Sequence, residues 1–203
     1  MSYLFRSFQL DSRDGDPITN TVKQMYAADN TFGLNVSFTH AMYNDDPPNA
    51  SAASSGYAHS KGFLAANETN GFWVTHSVPN WPYALTTGYL PFPTASQGIY
   101  SQSFICLSMN SSTTNLIGIS LLKMRPKYYS QSLPPALIPL FPDINAALIS
   151  QGVISTLPFA ISVSLYSAGI GSPPRMFTSF AKSTKFGRDV WNVATPALPH
   201  RFP

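Results

Sequence analysis

The chain has 203 residues, enough for one domain with its own core, and only 10% of it is charged while 13% is aromatic. That balance, with 18 prolines and many Ser, Asn and Thr residues, suits a secreted or strand-rich protein better than a cytosolic helical one. The most apolar stretch, 133–149, is cut by Pro134, Pro135, Pro139 and Pro142, which excludes a membrane-spanning helix there, and residues 1–6 lack the long apolar run of a signal peptide.

Net charge is +3, but it is unevenly spread. Residues 1–68 hold seven acids against four bases, and residues 69–203 hold two acids against eight bases. A basic second part could follow a polyanion backbone, or it could be an ordinary solvated surface.

In chain order, residues 1–19 are polar and read as an irregular end. The acids at Asp11, Asp14 and Asp16 do not make a calcium loop, because the closing Glu is missing and Gly15 is misplaced. Residues 18–27 fit either a short helix or an extended arm. From 31 to 43 apolar and polar residues alternate, which predicts a strand with His40 on its apolar face as a core histidine. Residues 44–55 form a loop leading to His59. If 59–66 is a strand, His59 and Lys61 share a face, an arrangement suited to a phosphate: the Lys neutralises charge and the His supplies nucleophile or proton. Asn70-Gly71 then predicts a type I′ hairpin turn before a second apolar run at 72–74.

Trp81, Tyr83, Tyr89 and Phe92 either cover the core or stack unpaired bases. A strand is expected over 100–109, a turn over 110–114, and an extended run over 116–129. On such a run Lys123, Arg125 and Lys127 would line one face, toward either phosphate or solvent. Asp143 is expected to cap a short helix over 144–150. Further strands are expected over 153–166 and 176–182, joined by a tight connection over 169–174. Residues 183–191 turn toward a helix with Lys185 and Arg188, and 192–203 read as an irregular end. The pattern predicts an α/β fold: a strand-rich, mixed β-sheet flanked by helices.

Several ordered blocks give the chain a family likeness. His59-Ser60-Lys61-Gly62, then Gly71-Phe72-Trp73-Val74-Thr75-His76-Ser77-Val78-Pro79-Asn80, resemble the deoxyribonuclease II family, acid endonucleases related in fold to phospholipase D. Tyr43-Asn44-Asp45-Asp46-Pro47-Pro48, Ser103-Phe104-Ile105-Cys106-Leu107-Ser108, Phe141-Pro142-Asp143 and the 179–187 segment are similar to further family blocks. The likeness covers roughly 20–191, in order.

The resemblance implies a metal-independent phosphodiesterase with no cofactor. Two His-x-Lys half-sites, one from each half of the family chain, act together on DNA. One imidazole attacks phosphorus, the other protonates the leaving 5′-oxygen and then activates water, and the product ends in 3′-phosphate. The lysines hold the non-bridging oxygens. The need for one protonated imidazole explains activity in acid. Here His59 and Lys61 form one half-site; His40, His76 and His200 belong to no second His-x-Lys. His76 is ranked as structural. Where the family commonly has Asp, eight residues after the first His, this chain has Asn67. Lys123, Arg125, Lys127, Lys182 and Lys185 are the candidate substrate-binding bases.

The chain is thus expected to be a single domain equivalent to the N-terminal half of the family, slightly trimmed. Three readings follow: a homodimer that joins two half-sites, a complementary second-half chain, or an inactive copy used as a structural component of a larger assembly. Relatives pair the strand cysteine with one near the mature N-terminus, and Cys106 is this chain's only cysteine. The family implies a lysosomal or secreted setting. Sequons at Asn35, Asn49, Asn67 and Asn110 fit that, whereas no signal peptide is seen, which predicts an intracellular setting if the N-terminus is native.

Overall fold

The computed structural model of the chain describes residues 16–32, 38–50, 56–150, 158–167 and 173–197. The first element is helix α1, Pro17–Phe32. Its start is written locally: Asp16 accepts a hydrogen bond from the Thr19 N–H at 2.8 Å, and Pro17 takes the first helical position, where its missing N–H costs nothing. Of the two options for 18–27, the chain takes the helix. The strand expected over 31–43 is correspondingly shorter. It is β1, Thr39–Asn44, with Phe32 still in α1 and 33–37 outside the described residues.

Strand β2 spans Lys61–Ala66 and β3 spans Asn70–His76. After the short helix α2, Thr94–Gln97, come β4, Phe104–Asn110, helix α3, Ser111–Met124, and β5, Tyr128–Ser132. Helix α4, Pro142–Ile149, precedes a hairpin of β6, Ala160–Tyr166, and β7, Met176–Lys182; α5, Trp191–Ala197, follows. Five strands form a sheet in the order β4-β3-β2-β1-β5, and β6-β7 forms a separate pair. All these pairings are antiparallel. The strand-rich α/β class read from the sequence is the one found. Helix α1 begins inside, and helix α5 runs into, an end expected to be irregular, while 1–15 and 198–203 lie outside the described residues.

Side-chain alternation splits the sheet between two apolar layers. Ala41, Tyr43, Leu64, Ala66 and Trp73 face Ile117 and Leu121 of α3, Ile144 of α4 and Leu165 of β6. Met42, Phe63, Ala65 and Val74 face Val22 and Met25 of α1, with Trp81 and Phe92. Both central strands are therefore buried along their whole length. Full burial of Phe63 or Leu64 contributes about 2 kcal/mol each. Trp81 and Phe92 belong to this core, and Tyr89 packs edge-on against Tyr26, so this aromatic group covers the core.

Three expectations are corrected. The run 116–129 is not extended. Asn110 accepts the Thr113 N–H at 2.8 Å and so caps α3, whose Thr114, Ile117, Gly118 and Leu121 recur at helical spacing. A Cβ on Gly118 would lie 2.2 Å from the Asp143 carbonyl carbon, so α4 packs directly on α3. Lys123 is thus in a helix, Arg125 ends it in the left-handed region at φ 60°, and Lys127 precedes β5. The three bases share no strand face.

The β2–β3 turn is not type I′ at Asn70-Gly71. Both residues lie in β3, and neither has positive φ. The turn is closed instead by the Asn67 N–H on the Asn70 carbonyl at 2.9 Å, with Asn67 Oδ1 accepting from the Thr69 and Asn70 N–H groups. Gly71 is small because α3 is close: a Cβ there would meet Thr114 Oγ1 at 2.5 Å. Asp143, finally, does not cap α4. It lies in its first turn behind Pro142, and its carboxylate accepts from Asn115 Nδ2 at 2.6 Å. Of the strand expected over 153–166, β6 covers 160–166, and the connection over 169–174 falls largely outside the described residues.

Candidate active site

His59 does not lie within β2 but two residues before its first, Lys61. Even so, both side chains reach one group. Asp45 follows the last residue of β1, and Asn44 pairs with Lys61 in the sheet. The Asp45 carboxylate therefore projects between positions 59 and 61. His59 Nδ1 lies 2.7 Å from Asp45 Oδ2, and the Lys61 ammonium donates to Asp45 Oδ1. Exposure divides the three sharply: the side chains of Asp45 and Lys61 are 9% and 8% exposed, that of His59 is 89% exposed.

Burial by itself would raise the Asp45 pKa. The hydrogen bonds and positive charges of Lys61 and His59 outweigh it and hold the carboxyl below its ordinary value. An ionised Asp45 is an acceptor only, so His59 Nδ1 carries the proton between them. Its Nε2 is then directed away from the carboxylate.

The loop holding Asp45 is pinned from behind. Asn44 is fully buried, and its Nδ2 donates to the carbonyls of Val78 and Trp81 at 3.1 and 3.2 Å. Its Oδ1 accepts the Asp46 N–H at 2.9 Å. Asn80 donates its N–H to the Asp46 carbonyl at 2.8 Å and its Nδ2 to the Asp46 carboxylate at 3.0 Å. The segments 43–48 and 76–82 thus form one bracket around Asp45.

The other described histidines do not reach the site chemically. His76 sits opposite Lys61 in the sheet, packed among Phe63, Trp81 and Phe104, and accepts the Val78 N–H at 3.2 Å on Nδ1. Burial, aided by the Lys61 ammonium, pushes its pKa down to about 3. His40 is buried against Ser130 at 3.1 Å, with its pKa pushed down to about 4 by burial. Both are structural, as expected. His200 lies outside the described residues. Asn67, the departure from the family pattern, is at the far end of β2, in the turn.

The candidate substrate-binding bases gather near the site without forming a stripe. The Ala58 N–H donates to the Arg125 carbonyl at 3.2 Å, and the Asn44 N–H to the Lys127 carbonyl at 3.0 Å, so this segment is tied to both the His59 and the Asp45 loops. Lys123 and Arg125 line a small recess with Tyr57, Ala58, Ser183 and Thr184. Lys182 ends β7 just before it, and Lys185 lies in the helical turn Thr184–Phe186. Neither is bonded to the His59–Asp45–Lys61 group. Asp45 is the member that sequence reasoning did not assign a role. Its only signal was its place in the Tyr-Asn-Asp-Asp-Pro-Pro block, because an acid 14 residues before a His has no local spacing rule.

The sequence model of deoxyribonuclease II matches residues 3–201. Mouse deoxyribonuclease-2-alpha is 33% identical over 74% of this chain and 42% of its own length. The rat protein of the same name is 32% identical over 90% of this chain and 49% of its own length. Plancitoxin-1 of Acanthaster planci is 30% identical over 88% and 47%. The chain spans about half the length of the curated relatives it matches. No solved structure matches it.

Proposed function

The chain belongs to the deoxyribonuclease II family, and from that premise we propose that it carries one half of a metal-independent phosphodiesterase site for DNA, completed by a second His-x-Lys pair from another copy or a complementary chain. The observation that carries this reading is the exposed His59 held at Nδ1 by the buried, ionised Asp45. A carboxylate behind an imidazole fixes its tautomer and orientation and stabilises its positive charge. In the reaction, one imidazole nitrogen forms a bond to phosphorus as the P–O5′ bond breaks. The 5′-oxygen leaves with a proton from the opposing imidazole. That imidazole then takes a proton from water, whose oxygen displaces the nitrogen and leaves a 3′-phosphate. Lys61 gives one of its three N–H donors to Asp45, and the other two remain for phosphate oxygens.

With His40 and His76 buried and neutral, the described part of one chain supplies a single imidazole for chemistry. The reading therefore includes a second half-site supplied from outside the described residues, with DNA as substrate, and takes a lysosomal or secreted setting from the family. The second reading is an inactive family member serving as a structural component of a larger assembly. It is favoured by the near-complete burial of Lys61, whose charge is already matched by Asp45.

The test is plasmid nicking at about pH 5 with chelator present, beside His59→Ala, since the general-acid imidazole must be protonated. Nicking that disappears in the variant supports the half-site reading. No nicking across a wide protein range, alone or with a second-half chain, supports the structural one.

A further inference from the structure

We propose that the recess between Arg125 and Ser183 is a second phosphate subsite, which takes the phosphate next to the scissile one on the bound strand; this rests on the nuclease reading. The recess has a volume of about 30 Å³ and lies between the end of α3, residues 56–58 and the segment after β7. Ser183 is only 6% exposed, and its hydroxyl has no hydrogen-bond partner. Arg125 Nε is likewise buried without one. Two such orphans beside one recess are costly to leave unmet, and both can donate. The missing partner is therefore an acceptor.

Its charge follows from the lining. Lys123 and Arg125 both border the recess, and none of the lining residues carries a carboxylate. Water fits the volume, but the Arg125 guanidinium, with its Nε unpartnered, favours an anionic oxygen. A phosphate can seat one oxygen there while its ester bonds stay outside.

The placement suits a strand already engaged at His59. Ala58, the preceding residue but for none between, lines the recess and donates its N–H to the Arg125 carbonyl. An anion held in the recess would thus lie against Ala58, the residue that precedes His59. The Arg125 side chain is also held in place: its guanidinium lies over the Tyr57 ring, 5.4 Å from the centroid. Its backbone occupies the left-handed region that usually falls to Gly after a helix, which a residue with a Cβ adopts at a cost. A cap alone does not call for Arg, whereas a positioned donor does.

The experiment follows the Arg Nε–Hε signals of the full chain by NMR at about pH 5 with chelator, assigned with Arg125→Lys. The probes are a thymidine dinucleotide phosphorylated at both ends and one carrying only its internal phosphodiester. The doubly phosphorylated probe is expected to shift the Arg125 signal saturably and to bind roughly tenfold more tightly than the other, an advantage that Ser183→Ala reduces. An Arg125 signal that stays still overturns the subsite, whatever happens elsewhere. The His59 ring signal and plasmid nicking report separately on the half-site. If Arg125 responds while both of those fail, the nuclease reading falls and the phosphate site stands.

Discussion

At one end of the five-stranded sheet, β1 and β2 deliver a carboxylate and an ammonium into a nearly buried pair and set an exposed imidazole on top. At the other end the same two strands run out beside a cavity of about 440 Å³, lined largely by apolar side chains of α1 and the sheet, and the polar atoms of the Asn67–Asn70 turn bond to one another in solvent. The difference is one of cost. Polar groups in an exposed turn exchange water for each other at little net gain or loss. Buried charges are paired at a desolvation cost that apolar residues would not incur, so a fold alone has no need of them. The end of the sheet that holds them is the end where chemistry is expected.

The sharpest way to break this contrast is Asp45→Asn, which keeps the shape and removes the charge. It leaves the Lys61 ammonium buried without its counter-ion, and we expect a loss of about 3 kcal/mol in stability by urea denaturation. Nicking by the assembled enzyme should fall at least about 100-fold, because the His59 tautomer is no longer fixed. The folded Asp45 pKa is below its unfolded value, so the pair's contribution is present above the ordinary carboxylate range and is lost only as pH falls through the folded value. It is intact at about pH 5. A variant as stable and as active as the parent would show that the carboxylate is incidental.

His76 sharpens the comparison from within the site end. Its folded pKa, about 3, is below the unfolded value, so it stabilises fully above that unfolded value and progressively less as pH falls toward the folded one. Between about pH 7 and pH 5 this loss is about 2 kcal/mol. His76→Phe, which keeps an aromatic ring among Phe63, Trp81 and Phe104, should show a correspondingly smaller drop over the same range in paired denaturation curves. Equal drops in both proteins would refute the buried neutral imidazole. The smallest effect is expected at the far end. Asn67→Asp restores the family's residue, and its carboxylate can accept the same two turn N–H groups, so stability should change by under about 0.5 kcal/mol and nicking not at all. A large gain in nicking would tie the two ends together.

What was legible in the sequence divides along the same physical lines. The alternation over 31–43 is local and foretold β1 in part, with His40 in the apolar phase, and the apolar runs on either side of the Glu68–Gly71 turn foretold the β2–β3 hairpin. His59 and Lys61 were expected to share a strand face; they meet instead through the Asp45 carboxylate, one exposed and the other nearly buried. Helix α3 was misread as extended although its Thr114, Ile117, Gly118 and Leu121 repeat at helical spacing; the period-two bases at 123, 125 and 127 run past its end, and the Asn110 cap was the signal that decides. Asn70-Gly71 was misread because its small residue answers to Thr114, forty-three positions on, and not to its own turn. Asp45 could not be assigned from spacing, since only the β1–β2 register brings it between Lys61 of the next strand and His59 just before that strand.

Gly62 has a bearing on how this sequence can change over time. A Cβ there would lie 2.4 Å from the Tyr43 hydroxyl and 2.6 Å from the Val74 carbonyl, and that same hydroxyl accepts the Trp73 indole N–H at 2.9 Å. The three positions therefore cannot drift singly. Any side chain at 62 evicts the tyrosine, and without the tyrosine the buried indole is left with an unmet donor. The residue just after the site lysine is thus a glycine for reasons set on two other strands, and lineages that lose it are expected to have exchanged all three together.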